Sequence, residues 1–276
     1  MLSYQHDYHA GNHADVLKHA VLAMLVRALQ RKPGAIRIID SHAGSGVYDL
    51  EGELAQRGRE HEAGVMRLFA ADEAPACLAP YLDAVRAENV DGRLRYYPGS
   101  PQLAATLLRP QDQLELFELH PQAAAALQAQ FRKQRQVHVH RRDGFEGALA
   151  VTPPPERRGL LLVDPSYEQK SEYARVADTV AAIARRWANG VLVVWYPLIP
   201  HPGSAQLIAR LRQLKLPPLY RVELAPQPDA PGMRGSGLII ANLPYQTDQQ
   251  LEALLPWLLT RLRPQGGGHC CAEWLD

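Results

Sequence analysis

The sequence predicts an α/β fold in which helices cover both faces of a mostly parallel, doubly wound sheet. From residue 114 onwards, short apolar or β-branched runs alternate with helix-like stretches, which is typical of parallel strands joined by right-handed crossovers. Two later strands follow each other without a helix between them. The 276 residues are 46% hydrophobic, which is enough for one sizeable core, so we expect a single domain over residues 1–276.

The predicted strands are apolar runs that end at polar or turn-forming residues. They lie at residues 35–40, 114–119, 137–140, 159–164, 190–199, 219–226 and 235–244. The connector of the last two, "QPDAPGMR", is a turn-rich loop. We therefore expect that pair to be antiparallel, at one edge of the sheet.

The helical pattern adds three expectations. "NHADVLKHAVLAMLVRALQRK" predicts an amphipathic helix before the first strand, with Asn12 as its N-cap. Pro121 suits the first turn of the helix after residue 119. Residues 50–95 contain no convincing strand and are interrupted at Pro75 and Pro80, so we expect a small helical insertion subdomain there.

Composition narrows the functional classes. The chain has no run of 18 apolar residues, and its start is polar and rich in histidine, so we expect a protein that does not enter a membrane. We also expect a monomer, and the few cysteines fit a reducing cytoplasm. Three cysteines offer no disulfide framework. The formal net charge is only +1, although "FRKQRQVHVHRRD" is strongly basic. From charge alone, a solvated face explains that segment as well as a binding patch does.

Four successive strands are followed by, or end on, an acidic residue: Asp40, Glu118, Asp143 and Asp164. In an open parallel sheet, ligands bind at the carboxyl ends of the strands. One such acid is usually a cap or a surface residue, but four at the same rim indicate a site.

The loop after the first strand, "SHAGSG", allows the backbone to approach a ligand closely. Glu118, at the end of the next strand, suits hydrogen bonds to a ribose diol. The loop lacks the full GxGxxG phosphate fingerprint. The pattern therefore favours a nucleoside ligand without a pyrophosphate over NAD.

"DPSY", residues 164–167, suits an aromatic amine. Pro165 pushes Asp164 towards extended geometry and offers a carbonyl without an N–H. Two neighbouring acceptors can hold both hydrogens of the amine and free its lone pair to attack. Tyr167 can stack on the ring, although an Asp-Pro turn with Tyr167 as rim packing explains the same residues.

These residues resemble a known family. "DPSY" is similar to the [D/N/S]-P-P-[Y/F/W] signature of S-adenosylmethionine-dependent amino methyltransferases. Together with "LSYQHDYHAGNHADVLKH", "DSHAGSGVY", "LRYYPGSP", "ELHP", "DGF", "WYP" and "LPWLLTRLRPQGGGH", it resembles the ribosomal RNA large subunit methyltransferase J family over nearly the whole chain. The resemblance implies a Rossmann-like class I methyltransferase fold and methylation of N6 of one adenine in 23S ribosomal RNA.

The resemblance also implies site residues. It makes Asp164 the catalytic residue and places Tyr4 near the RNA, and the chemistry of the tetrapeptide adds Pro165 and Tyr167 to the catalytic residues. The cofactor S-adenosylmethionine is expected to contact Lys18, His19, His42, Ser100, Glu118, Asp143, Gly144 and Asp164. Ser100 precedes Pro101 and fits a helix N-cap equally well. The family usually has a second proline where this chain has Ser166, whose side chain the proposed chemistry does not need.

Three alternatives stay open at this point. The tetrapeptide also fits a DNA adenine N6-methyltransferase, because both nucleic acids present the same adenine edge. A metal-dependent hydrolase is suggested by four N-terminal histidines, although their surroundings look loop-like. These are His6, His9, His13 and His19. A non-catalytic RNA-binding module with a decayed site is suggested only by Ser166.

Overall fold

The computed structural model describes residues 6–71 and 73–275. The strands β1 to β10 are Arg37–Asp40, Val47–Asp49, Tyr96–Pro98, Gln113–Phe117, Val137–His140, Gly159–Val163, Val191–Leu198, Leu219–Ala225, Gly235–Ala241 and His269–Leu275. The helices α1 to α10 are His13–Gln30, Glu53–Gly58, Met66–Phe69, Ala79–Ala87, Ser100–Leu107, Pro121–Phe131, Gly144–Val151, Ser171–Arg186, Gly203–Gln213 and Thr247–Leu262. Short 3-10 turns lie at His6–Tyr8, Glu60–Glu62 and Ala76–Leu78.

Eight strands form one sheet in the order β10-β8-β9-β7-β6-β1-β4-β5. Strands β5, β4, β1, β6 and β7 are parallel, whereas β9 runs antiparallel to both β7 and β8. One face packs against α1, α5 and α10, and the other against α7, α8 and α9. The predicted doubly wound α/β fold is therefore confirmed.

The antiparallel edge of the sheet is confirmed, although its outermost strand differs from the prediction. Strands β8 and β9 do pair antiparallel, but β9 lies between β8 and β7, and the edge strand is β10, antiparallel to β8. Strand β10 was not predicted, because "HCCAEWL" shows no clear alternation of apolar and polar residues. The antiparallel part of the sheet is one strand wider than expected.

Helix α1 begins after Asn12, whose side chain accepts hydrogen bonds from the backbone N–H groups of Ala14 and Asp15, as predicted. The predicted amphipathic character is wrong, because every residue from His13 to Val26 is buried. The helix lies between the sheet, α4, α5 and α10. Its polar residues therefore point into the protein, where each needs a partner. No helix among the described residues has both the length and the apolar character needed to cross a membrane.

Residues 50–95 are bracketed by a two-stranded ribbon of β2 and β3, in which Tyr48 pairs with Tyr97. The described residues between these strands are helices and turns, including α2, α3 and α4. The segment packs against the rest of the protein, because α4 contacts α1 and the Val65 N–H donates to the Gly11 carbonyl at 2.8 Å. The division into a domain and an insertion subdomain stays a prediction.

The burial of α1 generates a stability prediction. Leu17 is fully buried in the core that joins α1 to the sheet, whereas Leu119 is half exposed. Leu17→Ala should lower the free energy of unfolding by about 2 to 5 kcal/mol, because it leaves a cavity. Leu119→Ala is the control and should change it by less than about 0.5 kcal/mol. Urea titration followed by circular dichroism measures both, and equal effects would contradict the position of α1.

Candidate active site

Four acids meet at the carboxyl ends of neighbouring parallel strands, as the sequence predicts. Asp40 is the last residue of β1, and Glu118, Asp143 and Asp164 follow the ends of β4, β5 and β6. Asp40 is buried, and the other three are partly exposed. The rim of the sheet is therefore lined by carboxylates that differ in access to solvent.

A buried ammonium connects the helix α1 to the end of β6. The Lys18 Nζ lies 2.7 Å from Asp164 Oδ2 and 3.0 Å from Asp15 Oδ1. Asp15 also accepts a hydrogen bond from the Gly11 N–H and lies 2.9 Å from the His6 ring. Burial raises the pKa of Asp15, but His6 and Lys18 outweigh it and hold the pKa well below its usual value. The Lys18 ammonium on α1 therefore holds the Asp164 carboxylate in position at the end of β6.

The loop after Asp164 turns sharply at Tyr167, which has a φ of 55°. A left-handed conformation is uncommon for a residue with a large side chain. It is held by a hydrogen bond of 2.7 Å from the Tyr167 hydroxyl to the Trp195 carbonyl and by stacking on Tyr173 at 4.4 Å. The ring is buried in this conformation, which fits the alternative of rim packing, and the stacking of Tyr167 on a base stays a prediction.

The glycine loop after β1 is tied to β4 and β3. Gly44 and Gly46 have φ values of 66° and 90°, which favour glycine. The Gly44 N–H donates to Glu118 Oε2 at 2.8 Å, and the His120 N–H donates to Oε1 at 2.7 Å. The Gly46 carbonyl accepts from the Gly99 N–H. Each oxygen of Glu118 keeps a lone pair for a ligand.

Asp143 is the N-cap of α7 and accepts hydrogen bonds from the N–H groups of Phe145 and Glu146. Arg175 of α8 donates to both of its oxygens, at 2.8 and 2.9 Å, and lies over the Phe145 ring at 4.4 Å. Burial raises the pKa of Asp143, but the Glu146 N–H and Arg175 outweigh it, so the pKa is lowered. A Cβ on Gly144 would lie 1.6 Å from the Ser41 carbonyl oxygen, so this glycine permits α7 to approach β1.

His42 lies between the strand ends. Its Nδ1 is 2.7 Å from the Ser41 hydroxyl, and its ring packs edge-on against Phe145 at 4.9 Å. Burial lowers the pKa of His42 to about 4, although Asp164 and Asp143 oppose that shift. His42 is therefore neutral near pH 7 and can accept or donate one hydrogen bond.

Asp40 carries an unsatisfied oxygen at the centre of the rim. Its Oδ1 accepts a hydrogen bond from the His42 N–H, but its buried Oδ2 has no hydrogen-bond partner among the described residues. Burial raises the pKa of Asp40 to about 6, the nearby Ser100 hydroxyl lowers it, and Asp164 raises it. Ser100 is the first residue of α5, whose N-cap is Gly99, so the predicted capping role of Ser100 is wrong.

His19 and the N-terminal histidines have other partners. His19 is buried, its Nδ1 lies 2.8 Å from the Tyr97 hydroxyl, and burial lowers its pKa to about 3. His9 binds Glu60, and His6 binds Asp15. The described histidines of this segment therefore do not form one metal-like cluster, which weakens the hydrolase alternative. Tyr4 lies outside the described residues.

Two charged residues of the site, Asp15 and Arg175, were not predicted from the sequence. Asp15 gave only a weak signal, because an acid three residues before Lys18 is an ordinary pair on the polar side of a predicted helix. Arg175 left no signal, since its partner Asp143 is 32 residues away. Asp40 was recognised as a rim acid but was given no role.

The buried Asp40 carboxyl predicts how the free energy of unfolding changes with pH. A pKa raised from 3.8 to about 6 means that the folded state binds the proton more tightly. This contribution to stability is complete below 3.8 and is lost as the pH rises through about 6. Between about pH 5 and about pH 7.5, the wild type should therefore lose roughly 1 to 2 kcal/mol of unfolding free energy that the Asp40→Asn variant does not lose.

Urea titrations of both proteins at the two pH values measure this difference. Asp178→Asn, at an exposed carboxylate of α8, is the matched control and should follow the wild type at both pH values. A difference that stays constant with pH would contradict the raised pKa of Asp40.

Comparison with known proteins identifies the family of this chain. The family described as "Ribosomal RNA large subunit methyltransferase D, RlmJ" matches residues 34–276. Proteins named ribosomal RNA large subunit methyltransferase J from Escherichia coli K12 and Haemophilus influenzae Rd are 42% and 37% identical, each over 100% of this chain and 99% of the relative.

A crystal structure of a protein from Legionella pneumophila superposes with a TM-score of 0.90 at 33% identity, covering 96% of this chain and 98% of that one. The α/β fold and the family that the sequence predicts are both confirmed. This chain is a methyltransferase and belongs to the ribosomal RNA large subunit methyltransferase J family.

Proposed function

We propose that this chain transfers a methyl group from S-adenosylmethionine to N6 of one adenine in 23S ribosomal RNA. The observation that carries the proposal is the Asp164 carboxylate, which is partly exposed at the end of β6, held by Lys18 and followed by Pro165. The names of the relatives support a ribosomal RNA substrate. The adenine amine is our inference from the acceptor pair at residues 164 and 165.

The residues of the rim fit the cofactor. S-adenosylmethionine carries a positive sulfur and an ammonium, and when bound it supplies an activated methyl group. The unsatisfied Oδ2 of Asp40 suits a cationic donor. Glu118 would accept from the ribose hydroxyls, and Asp143 and Gly144 would border the adenine. Lys18, His42, Ser100 and Asp164 would complete the site.

Two predicted residues receive different roles. His19 is buried and hydrogen-bonded to Tyr97, so we propose that it positions β3 instead of touching the cofactor. Tyr167 shapes the turn after Asp164, and its stacking on the target base stays a prediction. Tyr4 also keeps its role near the RNA as a prediction, as do the monomeric state and the cytoplasmic location.

Asp164 would act by orientation and by accepting a proton. The target base is extruded from its stack, as is required for chemistry on a base edge. Its amine hydrogens then meet Asp164 and the Pro165 carbonyl, and Lys18 keeps its contact with Asp15. Because the amine becomes acidic once it carries the methyl group, the Asp164 carboxylate can accept its proton. Positioning supplies most of the acceleration.

Labelled methyl transfer tests the substrate. We expect label from S-adenosylmethionine to enter an unmodified 23S transcript and to be recovered as N6-methyladenosine. Duplex DNA of matched sequence should remain unlabelled. Label in DNA alone would replace the RNA assignment with the DNA methyltransferase alternative, and label on another nucleoside would refute the adenine amine.

The role of Asp164 predicts a selective loss of turnover. Asp164→Asn should lower kcat by about 100- to 10 000-fold, because the amide cannot accept the proton. The variant should stay folded and bind the cofactor, as measured by calorimetry, since Lys18 keeps Asp15, but the loss of one partner of Lys18 should lower the melting temperature. Asp178→Asn is the matched control and should retain full activity. A near-normal kcat for Asp164→Asn would exclude the proposed role.

A further inference from the structure

Residues 119–142 contain five lysine and arginine residues and no aspartate or glutamate, although the whole chain has 30 basic and 29 acidic residues. The sequence alone left open whether this segment is a solvated face. We call its five cations the basic edge. They are Arg132, Lys133, Arg135, Arg141 and Arg142.

The structure places the basic edge along the outer border of the sheet. Strand β5 pairs only with β4 among the described strands, so its other side is open. Arg132, Lys133 and Arg135 lie between α6 and the start of β5, and Arg141 and Arg142 follow its end. All five are exposed. The strand thus separates two groups of cations on one border.

The cations of the basic edge are largely unpaired. Arg142 lies 3.8 Å from Glu146, whereas the other four form no ion pair with any described residue. Elsewhere, arginines at the surface commonly contact an acid, as Arg95, Arg175 and Arg210 do. Unpaired like charges repel one another, so a cluster without acids favours an anionic partner.

The basic edge leads to the active site. Arg142 precedes Asp143 at the rim, and Arg135 lies seven residues earlier at the other end of β5. At about 3.3 Å per residue, the edge extends roughly 20 Å away from the rim, which is enough to follow several phosphates. A groove of about 310 Å³ beside it adds the neutral donors Gln128 and Gln134 and the His138 ring.

We propose that the basic edge binds the phosphate backbone of the RNA substrate and directs it towards the rim. The inference rests on the proposed function, because it assigns a surface to that substrate. Each phosphate contact releases condensed counterions, so binding through this edge weakens as salt increases. Exposed arginine and lysine side chains would position the RNA without reading its sequence.

The test removes three cations that lie away from the rim. Arg132→Gln, Lys133→Gln and Arg135→Gln are combined in one variant, which leaves Arg141 and Arg142 near the site intact. The control variant combines Arg185→Gln, Lys215→Gln and Arg261→Gln, which remove three exposed cations from the half of the protein that carries β7 to β10. Both variants lose the same charge, so a difference between them reports location.

Binding of a 23S fragment is measured by fluorescence anisotropy at several KCl concentrations, and methyl transfer is measured in parallel. For the edge variant, we expect Kd and KM for RNA to rise about 10-fold or more near 0.15 M salt, with kcat and cofactor affinity unchanged. The slope of log Kd against log salt should fall by about 2, as expected for three lost contacts with a single strand. The control should stay within about 2-fold of the wild type.

Equal losses in both variants, or unchanged RNA binding by the edge variant, would overturn the inference. If the edge variant loses binding to polyglutamate but still binds the RNA normally, the inference is also overturned. That result would favour an acidic protein as the partner of the basic edge. If the wild type binds the RNA through the edge but does not methylate it, the proposed function fails while the inference stands. Matching melting temperatures establish that each variant is folded.

Discussion

The structure depends on a buried ammonium that two carboxylates share. Lys18 is buried in α1, and it contacts Asp15 of the same helix and Asp164 of the strand end. A charge in the interior is tolerated only when its partners are close and correctly oriented. The two contacts of Lys18 therefore favour one position of α1 against β6. The apolar residues around it supply the burial, and the ion pair fixes the position of α1 along the sheet.

The rim consequently has two electrostatically different halves. Beside Asp143, the Arg175 guanidinium balances the carboxylate and the site is nearly neutral. Around Lys18, three carboxylates, those of Asp15, Asp40 and Asp164, face one ammonium. This half favours a ligand that carries positive charge, and it does so in a partly dry environment where electrostatic interactions are strong. The position of the acids thus matches the charge distribution of a sulfonium cofactor.

The sequence predicted what depends on local patterns and missed what depends on distant pairing. The strand ends and their acids follow from apolar runs, so Asp40, Glu118, Asp143 and Asp164 were all found. The ribbon of β2 and β3 has three residues in each strand, and neither is a strand without the other. The contact of Lys18 with Asp164 joins positions 146 residues apart, and nothing in one sequence reports such a contact. Helix α1 looked amphipathic because its buried polar residues are satisfied only by the tertiary structure.

The turn at Tyr167 explains why the third residue of "DPSY" can differ from proline. A second proline would stiffen the backbone by fixing one φ angle and restricting the residue before it. Here the left-handed φ of Tyr167 and its bond to the Trp195 carbonyl already set the direction of the chain. The hydrogen bond of the tyrosine hydroxyl therefore stabilises the turn, and phenylalanine or tryptophan at this position would lose that contact. In this chain, which has no proline at residue 166, the contact of the Tyr167 hydroxyl with the Trp195 carbonyl is what holds the turn.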